Sequence, residues 1–199
     1  MVKTILSTLA IVLTFVAFYP YIVGILRNQI KPHVFSWIIW GLTTTIVFFA
    51  QLEAGGGVGA WPIGLSGLVT IYIAVLAYLK QADRTITFMD WLFFCLALAA
   101  LPLWYLTSSP LWAVIVLTSV DVLGFGPTFR KAYVLPFEES LTFFGLFCAR
   151  NLIAIAALET YSWATILFPA AITAGCVVLI VMVVYRRKLF IRQGRMSVY

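Results

Sequence analysis

The stretches Tyr19–Trp37 (YPYIVGILRNQIKPHVFSW) and Gly126–Ser140 (GPTFRKAYVLPFEES) decide the reading of this 199-residue chain. Each carries a proline close to the end of an apolar segment, then a basic loop, then a second proline and a serine. Pro20 answers Pro127, Pro62 answers Pro169 and Lys80 answers Arg187 at a spacing of 107 residues. Pro32 and Pro136, Ser36 and Ser140, and Gly41 and Gly145 are each 104 apart. A three-residue length change in a loop costs little, so the two spacings fit one unit written twice.

Composition fixes the solvent. The chain is 63% hydrophobic and 10% charged, with a mean hydropathy of +1.06, and has no polar stretch able to cover a soluble domain. An integral membrane protein is expected. Crossing a bilayer takes about 20 apolar residues, and seven windows supply them: Thr4–Leu26, His33–Gln51, Gly59–Leu79, Phe88–Thr107, Ser109–Arg130, Glu138–Leu158 and Ser162–Tyr185. Unbroken runs such as Val177–Val184 exclude the alternating strands of a membrane barrel. The first window follows Lys3 but no small-residue cleavage pattern follows it, so it is expected to stay as a helix rather than leave as a signal peptide.

Helix ends carry their own signals. Ser109 before Pro110 reads as a helix start, and Thr87 to Asp90 fits a capping box. Pro32 and Pro136 stand where the second and sixth spans should begin, and Glu53–Gly59 (EAGGGVG) is a flexible turn. The expected fold is therefore all-α, with a three-helix repeat over residues 1–80, a linker helix over 81–108, and a second parallel repeat with a basic tail over 109–199.

Seven spans put the N-terminus and alternate loops on one side, where Lys3 is the sole basic residue. The opposite side holds 11: Arg27, Lys31, Lys80, Arg84, Arg130, Lys131, Arg186, Arg187, Lys188, Arg192 and Arg195. The positive-inside rule then expects the N-terminus outside and the C-terminus cytoplasmic, in the plasma (cell inner) membrane. Topology and lipid headgroups account for the net charge of +6, so no nucleic-acid partner is implied.

Two charges fall inside the spans. Asp121 sits nine residues before Arg130, about 13 Å along a helix, and Arg150 sits twelve after Glu138, about 18 Å along the next. Such charges usually face a bundle interior or cavity, and an arginine can bridge that offset, so an Asp121 to Arg150 ion pair is feasible. In this register the first half has Thr14 and Ile46 at the corresponding positions. Asn151, Thr43, Thr44, Thr45, Ser66, Thr70, Tyr72 and Thr173 are polar groups able to line a cavity, and Trp40, deeper than the boundary tryptophans Trp61, Trp104, Trp112 and Trp163, is the best aromatic for a substrate contact. Pro20 and Pro127 should bend the first and fifth spans and act as hinges, with Pro32 and Pro136 beside the same gate.

Other groups point elsewhere. Cys95, Cys148 and Cys176 lack metal or redox spacing and read as apolar packers. His33 at a span boundary reads as a solvated residue, and Asp90, Glu138 and Glu139 suit helix starts. The last span has no lysine for a retinal. Asp121 has no second membrane acid and no nucleophile with a base is visible, so neither an enzyme nor a cofactor is expected.

In layout the chain resembles the SWEET and PQ-loop transporters over its whole length, through the proline, basic loop and serine pattern of the two quoted stretches. The resemblance implies parallel repeats with a substrate path at their interface. Tyr21 and Thr128 stand where the PQ-loop glutamine would be, and Gly64 and Ala171 align with the facing asparagines of sugar carriers, so transport class is implied and sugar specificity is not. The expected function is a carrier of a small polar metabolite, a sugar, amino acid or vitamin-like compound, in contact with membrane lipid and compatible with a homo-oligomer. A non-transporting receptor or assembly factor on the same fold is the alternative.

Overall fold

A computed structural model describes residues 1–30, 32–80, 84 and 86–192, with nothing described of the side chains of Pro127, Arg130, Lys131 and Glu138. Lys31 and Arg195 of the basic count lie outside the described residues. The helices are α1 (Val2–Leu26), α2 (Val34–Glu53), α3 (Trp61–Leu79), α4 (Phe88–Thr107), α5 (Pro110–Gly124), α6 (Gly126–Val134), α7 (Leu141–Ala157) and α8 (Trp163–Arg192), with single 3-10 turns at Gly57–Ala60 and Pro136–Glu138. The protein is all-helical and membrane-type: five helical stretches are long and apolar enough to cross a bilayer, whereas α5 and α7 are shorter apolar helices.

The Thr87 capping signal acts as expected. The Thr87 hydroxyl accepts from the Asp90 N–H at 3.3 Å, and the Asp90 carboxylate accepts from the Thr87 N–H at 2.7 Å, so two orphan donors at the start of α4 are met reciprocally. Pro110 opens α5, although the Ser109 side chain makes no cap bond. His33 is more than a solvated boundary residue. Its Nδ1 caps α2 by accepting from the Ser36 N–H at 3.4 Å and lies 4.0 Å from the Asp90 carboxylate, tying the start of α2 to the start of α4.

Two sequence boundaries are corrected. The window Ser109–Arg130 is not one helix: α5 ends at Gly124, Phe125 caps it, and α6 starts at Gly126. The two glycines around Phe125 and the missing amide of Pro127 weaken the ladder there. By contrast α1 runs unbroken through Pro20. Pro136 lies in a separate 3-10 turn, and the sixth span starts at Leu141 with the Ser140 hydroxyl accepting from the Phe143 N–H at 3.2 Å.

Packing is crossed. α3 packs on both α1 and α2, and α8 packs on both α5 and α7. Between these groups α1 packs on α7 and α2 packs on α5. α4 rests against α5 and α2 on the outside, burying only small residues, Ala97 and Ala100. Close approach of α2 to α3 depends on Gly41, where a Cβ would stand 2.7 Å from Ile71 Cγ1. Gly145 has nothing within 4 Å of such a Cβ, so the Gly41 and Gly145 match in sequence is not a match in packing.

At one end of the bundle, hydrogen bonds join the start of α1 to two loops and the loops to each other. Lys3 Nζ donates to the Leu158 carbonyl at 2.6 Å, the Ser7 hydroxyl donates to the Val58 carbonyl at 2.6 Å, and the Glu159 N–H donates to the Gly56 carbonyl at 3.1 Å. Gly59 lies against the backbone of Ala157 and Leu158, where any Cβ would collide. At the opposite end, Lys80 Nζ donates to the Leu26 carbonyl in the last turn of α1 at 3.2 Å, and Arg187 Nη2 donates to the Glu139 carbonyl in the connection before α7 at 2.7 Å.

Candidate functional site

Midway along the bundle lies a layer of buried polar groups. Asp121 on α5 and Arg150 on α7 are 6% and 2% exposed. They do not pair with each other. The Asp121 carboxylate accepts from the Thr43 hydroxyl of α2 at 2.8 Å, and Arg150 donates through Nε to the Thr14 hydroxyl of α1 at 3.4 Å and through Nη1 to Asn151 Oδ1 at 3.0 Å. In place of the feasible ion pair stand two contacts to hydroxyls, one across α2 and α5 and one across α1 and α7. A hydrogen bond to a charged group contributes about 1.5–3 kcal/mol, far less than the full solvation a buried charge gives up.

The two contacts share one spacing. Thr14 and Asp121 are 107 residues apart, as are Thr43 and Arg150. Thr43 and Arg150 also lie nine residues beyond the first residues of their helices, Val34 and Leu141. Sequence alignment had matched Arg150 to Ile46 through the glycine pair. The contacts match it to Thr43, and the helix caps His33 and Ser140 fall in the same 107 register.

Toward the basic end, the polar layer is backed by rings. Phe18 meets Phe147, Phe143 and Trp37 at centroid distances of 5.2, 6.3 and 6.3 Å, and Trp37 meets Tyr21 and Trp40 at 5.0 and 5.5 Å. The Arg150 guanidinium stands 5.1 Å from the Phe147 centroid, within cation–π range. The polar layer thus lies between this aromatic layer and the hydrogen-bonded end.

The remaining expected residues divide. Asn151, Thr44, Ser66 and Thr173 are buried, and the Thr173 hydroxyl turns back on the Pro169 carbonyl at 2.7 Å. Trp40 is half-buried, with its indole nitrogen against Gly124 at the α5 break. Tyr72 is corrected: it is 50% exposed on the outer face of α3 and does not line the interior. Its place three residues from buried Val69 and two from buried Thr70 put it within reach on sequence alone, but the helix turns it to the lipid side. Among the hinge residues, Pro20 and the backbone of Pro127 lie on the basic-end side of the polar layer, whereas Pro32 and Pro136 sit in the loops before α2 and α7.

Thr118 and Gln51 escaped the sequence reading. Thr118 is one turn before Asp121, and its hydroxyl, Asn151 Nδ2 and Gln51 Oε1 are buried with no hydrogen-bond partner among the described residues. The i, i+3 spacing of Thr118 and Asp121 was the available signal. Among the described residues no group of three metal-ligating side chains occurs. No family model matches the chain, and neither does any curated protein or solved structure.

Proposed function

We propose that the protein is a membrane carrier that moves a small polar metabolite by alternating access between two parallel units of three spans each, α1–α3 and α5–α8 (α5 and α6 forming one broken span), with α4 as linker. The observation that carries this reading is the crossed pair of contacts, Thr43 to Asp121 and Thr14 to Arg150, each joining a helix of one unit to a helix of the other. Rocking one unit on the other breaks or remakes these contacts without disturbing either unit's own packing. Charges are rarely kept at this depth without a polar path, and Thr118 and Asn151 add buried polar atoms still able to bond a ligand. The loop contacts at the N-terminal end close one mouth, and the aromatic layer around Phe18 narrows the other. The excess of basic residues at the second mouth supports its facing the cytoplasm by the positive-inside rule.

The test is a distance measurement across the closed mouth. Spin labels at Ala54→Cys and Thr160→Cys, with the three native cysteines replaced, should give a short and a long population in membranes. A single short distance under every condition, including addition of a metabolite panel, would mean a static assembly and sink the carrier reading.

A further inference from the structure

We infer that the polar layer receives a small zwitterion, its carboxylate on Arg150 and its protonated amine on Asp121. The inference rests on the carrier reading and names the substrate class of the same site.

Arg150 has five N–H donors, of which two are engaged, both by neutral oxygens, Thr14 Oγ1 and Asn151 Oδ1. No carboxylate stands within ion-pair distance of it among the described residues, and Asp121 has one described donor, the Thr43 hydroxyl. An acidic and a basic side chain are therefore both buried, each held at a different helix junction, and neither pairs with the other. An uncompensated charge at this depth is costly. A ligand bearing both charges compensates both at once. A neutral sugar compensates neither, a simple carboxylic acid leaves Asp121, and a simple amine leaves Arg150.

The unpartnered atoms sit beside the two charges. Asn151 Nδ2 belongs to the residue already bonded to Arg150, and it supplies a neutral donor for a second carboxylate oxygen. The Thr118 hydroxyl lies one turn from Asp121, where it accepts from an ammonium beside the carboxylate. Both residues are at least nine-tenths buried. Behind Arg150 the aromatic layer presents the apolar Phe147 ring rather than a further polar group.

The experiment is thermal unfolding of the purified full-length protein in detergent with glycine, leucine and 4-aminobutyrate, which vary the charge separation, against leucine methyl ester, N-acetylleucine and glucose. At least one zwitterion should raise the midpoint by several degrees, since a ligand of the folded state must do so. Leucine methyl ester and N-acetylleucine, each lacking one charge, should not. Arg150→Gln and Asp121→Asn should each lose the shift, and the charge-blocked ligands make the same comparison on the unmutated protein should a variant fail to fold. Absence of a shift with all three zwitterions overturns the inference, as does an equal shift with N-acetylleucine or with glucose. A glucose shift would leave the carrier reading standing, whereas that reading falls on the spin-label distances.

Discussion

Thr43 on α2 donates to Asp121 on α5 at 2.8 Å, and this bond has its counterpart where Arg150 on α7 donates to Thr14 on α1 at 3.4 Å. The donor and acceptor roles are exchanged between the halves: the first contributes a hydroxyl to each contact and the second contributes the charge. An oxygen that both donates and accepts serves either sign of charge. Both charged residues of the second half are thus held by the same residue type of the first.

Thr43→Val keeps the shape and removes the donor, leaving the carboxylate with less than its full set of partners. Stability should fall by about 1–3 kcal/mol, read as a lower midpoint in detergent. A double-mutant cycle of Thr43→Val with Asp121→Asn should show coupling above about 0.5 kcal/mol, whereas Asp121→Asn with Arg150→Gln should be additive within about 0.5 kcal/mol. Strong coupling in the second cycle would mean that the two charges meet.

Gly59→Ala should destabilise the closed mouth, since its Cβ has to enter the backbone of Leu158 and Ala157. The expected cost is about 1–3 kcal/mol, with the Ala54 to Thr160 distance shifted toward its long population. An unchanged distance and midpoint would show that the loops part without this contact.

Pro127→Ala restores a backbone amide beside the α5 break, and Pro20→Ala does the same inside an unbroken α1. Exchange between the two spin-label populations should slow in both, and more in Pro127→Ala because the chain already leaves the helix at Phe125. Parental exchange rates in both variants would make the prolines structural only.

A reporter fused after Tyr199 should be cytoplasmic, given the 1 to 11 division of basic residues. A signal from outside the cell would overturn the orientation and the seven-span reading together.

Much of this arrangement was legible because membrane spans announce themselves by apolar length, and caps such as Thr87 with Asp90 by spacing. The break at Phe125 was hidden because the apolar run continues across it, so only the Gly124, Gly126 and Pro127 punctuation marks it. Depth arithmetic put Asp121 and Arg150 in one layer. It missed their partners because side-chain direction depends on helix rotation, which a shift of three residues in the register of the second half conceals. Helix caps align the halves better than glycines do: a cap is required by every helix end, whereas Gly41 answers one close contact that Gly145 does not share.

Sided labelling of Thr118→Cys in a background without Cys95, Cys148 and Cys176 tests the carrier account most directly, because position 118 lies in the polar layer and leaves both charges intact. A membrane-impermeant thiol reagent applied separately to right-side-out and inside-out vesicles should label it from either face. Labelling from one face alone, or from neither, would contradict alternating access.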